Sequence, residues 1–237
     1  MKIINAFLLL CLSITCEAHG YWFDIKGSGK INSAVRIQVC YGEIDEFGVR
    51  HREKGAELPL SGDFKVFVMN GDGKRFNLKL KPRADCWETT FTPLEKGYYQ
   101  ILAINETLPV VDRSAIKGKN VRPVDFLCAG YNVESKVETA QSYQFLDIIT
   151  SKKEKLVVVR AFKENVPVDS TTKLRVFNPE NWEKSLSVNE KGEAVFMPTM
   201  KGLYIIRQDW TEPKSGTYKG VAYSGIRYRC NYCLLIE

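Results

Sequence analysis

Phe91-Thr92-Pro93-Leu94-Glu95-Lys96-Gly97-Tyr98-Tyr99 returns as Phe196-Met197-Pro198-Thr199-Met200-Lys201-Gly202-Leu203-Tyr204, about 105 residues further on. Both copies read as the end of a strand, a turn opened by proline, and Gly-x-Tyr leading into the next strand. The glycine suits a backbone position that needs positive φ. The tyrosine resembles the corner tyrosine of immunoglobulin-like sandwiches, whose hydroxyl bonds nearby backbone. A Val-Phe strand precedes each copy, at Val66-Phe67 and Val176-Phe177. Self-similarity at a fixed period marks a repeated architecture, here two similar halves.

Working outward, the same strand chemistry continues in both directions. Val35, Ile37, Val39 and Tyr41 alternate with polar residues, the period-two pattern of a half-buried strand. Tyr21 to Ile25 reads as the strand before it. Asn70-Gly71-Asp72-Gly73 is a hairpin signal. Lys155 to Val159, Leu174 to Phe177 and Tyr204 to Gln208 carry the pattern into the second half. No segment shows a helical stripe. Short strands separated by turn signals predict an all-β chain. The expected architecture is two consecutive antiparallel β-sandwich domains, immunoglobulin- or prealbumin-like, at 19–112 and 143–237. A connection over 113–142 joins them, with an added strand at Val124–Cys128 within it. Ile44 to Leu60 is polar and reads as a long loop.

Residues 1–18 have the form of a secretory signal peptide. Lys2 is followed by an apolar run from Ile3 to Ile14. That run is shorter than the roughly 20 residues of a membrane span. Cleavage after Ala18 makes His19 the first residue of the mature chain. The rival reading is lipidation at Cys16, against which Thr15 is bulky. Either way the expected location is exported, periplasmic or associated with the cell envelope, with no transmembrane segment. Apolar residues make up 44% and charged residues 26% of 237, ordinary globular values, and the net charge of +6 is dispersed. Without a dense basic patch interleaved with aromatics, nucleic acid is not an expected partner. Beyond the signal, Cys40, Cys86, Cys128, Cys230 and Cys233 remain. An exported chain favours disulfides among them, and an odd number leaves at least one thiol free, metal-bound or paired with another chain. Cys230-Asn231-Tyr232-Cys233 has metal-knuckle spacing, but in a strand the two cysteines face opposite ways. Cys40 and Cys86 are candidates for a bridge in the first half.

Ala18-His19-x-x-Trp22, then Tyr41-Gly42-Glu43-x-x-Glu46, then a Lys-Gly-x-Tyr turn, resemble a large family of bacterial exported proteins grouped with periplasmic components of nickel and cobalt uptake. The resemblance covers most of the mature chain and is firmest over residues 18–105. It implies two exported β-sandwich domains and a metal role. Relatives of that kind often carry Gly-His where this chain has Gly42-Glu43, which removes an imidazole. The resemblance brings no catalytic residue.

The metal candidates are His19, Glu43, His51 and Glu46. A first-position histidine offers its α-amine and its imidazole to one ion. With ordinary pKa values of about 7.7–8.0 and 6.5, both can be neutral near pH 7. Imidazole suits copper, nickel and zinc. His51 is the only other histidine, and its neighbours Arg50 and Arg52 repel a metal ion. Glu43 and Glu46 follow the alternating strand at a sandwich rim. A tight first hairpin would bring the start of strand one against Gly42-Glu43. Two histidines leave little room for a catalytic triad, and no enzyme is expected. The leading expectation is an exported protein that buffers or delivers divalent nickel, cobalt or copper, its partner a membrane transport component or another envelope protein. The alternative is a non-catalytic module that binds a protein or glycan through its loops. A copper oxidase built on His19 would need a second well-placed histidine. Asn105-Glu106-Thr107 matches a glycosylation acceptor, relevant only to a eukaryotic secretory route.

Overall fold

The computed structural model describes residues 20–45, 49–135 and 139–237. Residues 1–18, expected to be a signal peptide, and the metal candidates His19 and Glu46 lie outside them. The described chain is almost entirely strand. Its first part supplies β1 (Gly20–Lys26), β2 (Val35–Ile44), β3 (Arg50–Arg52), β4 (Lys65–Met69), β5 (Arg75–Leu78), β6 (Lys81–Pro82), β7 (Trp87–Phe91) and β8 (Gly97–Asn105). Next come β9 (Val121–Val133), β10 (Leu146–Lys153), β11 (Leu156–Lys163), β12 (Val166–Pro167), β13 (Lys173–Phe177), β14 (Glu183–Ser187) and β15 (Glu193–Phe196). Last are β16 (Gly202–Glu212), a small ribbon of β17 (Gly216–Tyr218) and β18 (Val221–Tyr223), and β19 (Gly225–Ile236). Two 3-10 turns, Leu58–Asp63 and Ser114–Ile116, complete the described elements.

An eight-stranded sheet in the order β14-β13-β16-β19-β9-β8-β4-β5 forms the middle of the molecule. A sheet of β1, β2, β7 and β6, with β3 attached to β2, packs on one of its faces. A sheet of β10, β11 and β12, with β15 attached to β11, packs on the other. Alternation produces both cores. Val66, Val68, Ile101, Leu127 and Ala129 point to the first, while Phe67, Leu102, Phe126 and Cys128 point to the second. In the first cover sheet Val35, Ile37, Val39 and Tyr41 are all buried, as their alternation predicts.

The two copies of the repeat occupy matching places. Tyr99 donates its hydroxyl to the Glu95 carbonyl at 2.8 Å, and Tyr204 donates to the Met200 carbonyl at 3.2 Å. Both rings are buried, one on each face of the central sheet. Gly97 and Gly202 sit at φ 149° and 125°, a region that disfavours any side chain.

The middle of the chain departs from expectation. The sequence predicts a connection over 113–142 between two consecutive sandwiches. The structure has β9 there, paired antiparallel with β8 and parallel with β19, so one sheet passes through both halves. The added strand expected at 124–128 is the middle of β9. Val124, Phe126 and Cys128 are buried on one face and Asp125, Leu127 and Ala129 on the other. A strand covered on both sides loses the alternation by which strands are recognised. Within the polar loop 44–60, β3 is a further strand that the sequence pattern does not reveal. Asn105 is fully buried, its amide donating to the Leu60 carbonyl and its Oδ1 accepting from Thr107, so the acceptor motif is closed in the folded chain.

Candidate functional site

β1 and β2 pair antiparallel with Gly20 opposite Gly42, joined by a longer connection over 27–34 than the expected tight hairpin. β3 returns along the other side of β2, placing Gly42 opposite Arg52 and Glu43 opposite His51. The approach is close. A Cβ on Gly42 would lie 1.8 Å from the His51 carbonyl oxygen, so only glycine fits. Directly opposed residues project from the same face, so Glu43 and His51 are neighbours. His51 Nε2 is 2.7 Å from Asp45 Oδ2. Asp45 also closes the turn, its Oδ1 accepting from the Val49 N–H at 2.7 Å. Just over half of the His51 side chain is exposed.

Arg50 and Arg52 alternate with His51 along β3 and therefore leave by the opposite face. Arg52 pairs with Asp24, reaches Asp85 at 3.5 Å and donates to Gln38 Oε1 at 3.0 Å. Arg50 lies over the Trp22 ring, 5.4 Å from its centroid. Thus the two cations flanking His51 in sequence do not share its side of the strand. Of the four metal candidates, Glu43 and His51 are brought together; His19 and Glu46 lie outside the described residues. Sequence reasoning missed Asp45, although its position at the exit of β2 was the available signal. Among the described residues no group of three or more His, Cys, Asp and Glu side chains gathers closely enough to hold a metal.

All five described cysteines are buried thiols. Cys128 Sγ and Cys230 Sγ lie 3.1 Å apart across the β9–β19 seam, and Cys128 also donates to Asp147 Oδ1 at 3.2 Å. Burial pushes both thiols upward in pKa. Val39 pairs with Trp87, so one step further along that register Cys40 faces Cys86. Cys230 and Cys233 belong to opposite cores, as strand geometry requires. Cys233 accepts from the Phe23 N–H at 3.2 Å, and burial pushes its pKa up to about 12.

A polar ladder went unread in the sequence. The β13–β16–β19 region turns one face away from its cover sheet, and that face carries Arg175, Arg207, Asp209 and Arg229. Asp209 bridges Arg175 at 2.5 Å and Arg229 at 2.7 Å. Burial opposes its charge, but Arg229 and Arg175 outweigh burial and hold it below the usual carboxylate range. Arg207 is pushed down to about 9 by burial and by Arg229. It donates to Asn231 Oδ1 at 2.8 Å, and Asn231 donates to the Tyr21 carbonyl at 2.9 Å. This chain of bonds fastens β1 to β19 and so helps to fix the hairpin that carries Glu43.

β9 and β19 remain paired only as far as Cys128 and Tyr232. Beyond that point β9 pairs with β8 and β19 with β16, and a cavity of about 750 Å³ lies between their ends and β1. Tyr98, Tyr232 and Thr150 line it, with Thr150 donating to the Tyr232 hydroxyl at 2.9 Å. Arg50 and Trp22 form part of its wall.

No family model matches the chain, and no curated protein matches it. Among the described residues no helix is long and apolar enough to cross a membrane.

Proposed function

We propose that the mature chain is an exported protein that binds a divalent transition metal, nickel, cobalt or copper, and buffers or delivers it for uptake. The observation that carries this reading is the strand register. Glu43 stands opposite His51, one step beyond the pair Gly20–Gly42. Continuing the same register would bring His19 opposite Glu43. Cleavage after Ala18 would then give the ion an α-amine and two imidazoles, with carboxylate from Glu43 or Glu46. Such a nitrogen-rich set with hard oxygen completion suits late first-row divalent metals. Asp45 holds the His51 ring, as a carboxylate commonly orients a ligating imidazole. The two halves, each a sandwich unit sharing the central sheet, act as the frame. The resemblance to exported proteins grouped with nickel and cobalt uptake agrees with this reading, and the partner would be a membrane transport component or another envelope protein. We assign no catalysis.

Calorimetry with copper and nickel tests it on three proteins: the chain beginning at His19, the same chain extended by one alanine, and His19→Ala. About one equivalent should bind to the first, and far more weakly to the other two, because acylating the amine or removing the ring breaks the chelate. Equal affinity in all three would replace the metal reading with a non-catalytic module that binds a protein or glycan through its loops.

A further inference from the structure

We propose that the cavity where β9 and β19 part is a binding site for a small organic anion, held by the Arg50 guanidinium. It lies on the opposite side of β3 from His51 and is independent of any metal. Its volume, about 750 Å³, is in the range that encloses a ligand of drug-like size.

Two arginines of β3 reach this region, and their surroundings differ. Arg52 already has Asp24, Asp85 and Gln38. Among the described residues no carboxylate lies within ion-pair distance of Arg50; it lies over the Trp22 ring, near the Cys233 and Cys40 thiols. Burial lowers the Arg50 pKa, the mark of a cation removed from water. A desolvated guanidinium without a carboxylate is costly, and an oxyanion that accepts two of its N–H groups removes the cost. The wall's own carboxylates do not supply this: Asp24 belongs to Arg52, and Glu237 is exposed. Lys152 adds positive charge to the lining, while Lys26 is 3.7 Å from Asp24.

The far side of the cavity offers different chemistry. The Tyr98 and Tyr232 hydroxyls are 3.4 Å apart, and Thr150 feeds the second of them. Trp22, Leu203 and Leu234 provide apolar surface. A guanidinium without a carboxylate among several cations, apolar walls and a short hydroxyl chain fit an amphipathic ligand: a carboxylate or comparable oxyanion on an apolar body. A neutral sugar would match the site less well.

The test uses 1-naphthoate and octanoate as probes, with 1-naphthamide as the neutral counterpart, on chelator-treated full-length mature protein so that no metal can bridge the carboxylate. Calorimetry should show saturable binding of at least one carboxylate at a single site. The amide should bind at least about tenfold more weakly, the difference expected when a charge-assisted hydrogen bond is lost. Arg50→Gln should weaken carboxylate binding at least about tenfold, Arg50→Lys less, and Arg113→Gln, on an exposed turn, not at all. Should Arg50→Gln fail to fold, Tyr232→Phe tests the other side of the cavity and should weaken binding several-fold. Failure of both carboxylates to bind, equal binding of the amide, or unchanged affinity in Arg50→Gln or Tyr232→Phe overturns the proposal.

Discussion

Asp147 has no exposed surface, yet it carries a carboxyl group. Its oxygens accept from the Tyr143, Gln144 and Ile148 N–H groups and from the Cys128 thiol. Burial is the stronger influence and raises its pKa from 3.8 to about 6, against the opposing pull of those bonds. A carboxyl whose folded pKa exceeds its unfolded one favours folding when protonated. Its stabilising contribution is therefore complete below about pH 3.8 and lost as pH rises through about 6. The difference corresponds to something on the order of 3 kcal/mol. Urea denaturation of the wild type should show stability from this group falling between pH 4 and 6.5, and Asp147→Asn should flatten that fall. Some slope will survive in the variant, because burial also raises Asp125. An unchanged slope would mean that Asp147 is ionised throughout.

Among the elements, β3 is the smallest on which the candidate site depends. It holds His51 against Glu43 only because Gly42 lets the strands close. Gly42→Ala should force β3 away from β2, since the atom it would strike is backbone and cannot rotate aside. The expected outcome is a loss of about 1–3 kcal/mol in thermal unfolding, as for other overpacked sites, together with weakened copper or nickel binding. Unimpaired metal affinity in a folded Gly42→Ala protein would separate His51 from the site. Much of the remaining element structure was legible from sequence: the Val35–Tyr41 alternation, the Asn70–Gly73 turn and the paired Gly-x-Tyr corners are local patterns. β9 was legible only in part because burial on both faces erased its period, and Pro123, Asp125 and Gly130 interrupt it. β3 was hidden by its brevity. The role of Arg50 was hidden for another reason. Sequence neighbours suggest that it acts on His51, whereas the pleat sends the two side chains to opposite sides. Asp45, likewise, becomes a partner of His51 only once the turn between β2 and β3 is drawn.

At the scale of the whole molecule, the order β5-β4-β8-β9 on one side of the seam is mirrored by β14-β13-β16-β19 on the other. The strands at the centre run parallel, and the cover sheets lie on opposite faces. A half-turn about an axis along the strands produces both features. Register agrees: Tyr99 faces Tyr131 and Tyr204 faces Leu234, making Tyr131 and Leu234 equivalent with an offset of 234 − 131 = 103. The seam pairs Val121 with Gly225, an offset of 225 − 121 = 104, one residue from exact correspondence. A surface that meets its own equivalent through a half-turn is isologous, so one half carries most of what is needed to associate with a second copy of itself. Residues 20–135 expressed alone should therefore close into a symmetric homodimer through β9, which would otherwise be an uncovered edge. Sedimentation equilibrium would reveal it as twice the fragment's mass. A folded monomer would show instead that β19 has become a dedicated partner. The intact chain would then represent such a dimer written into one polypeptide, freeing each half to change alone, as the single hairpin bearing Glu43 and His51 has done.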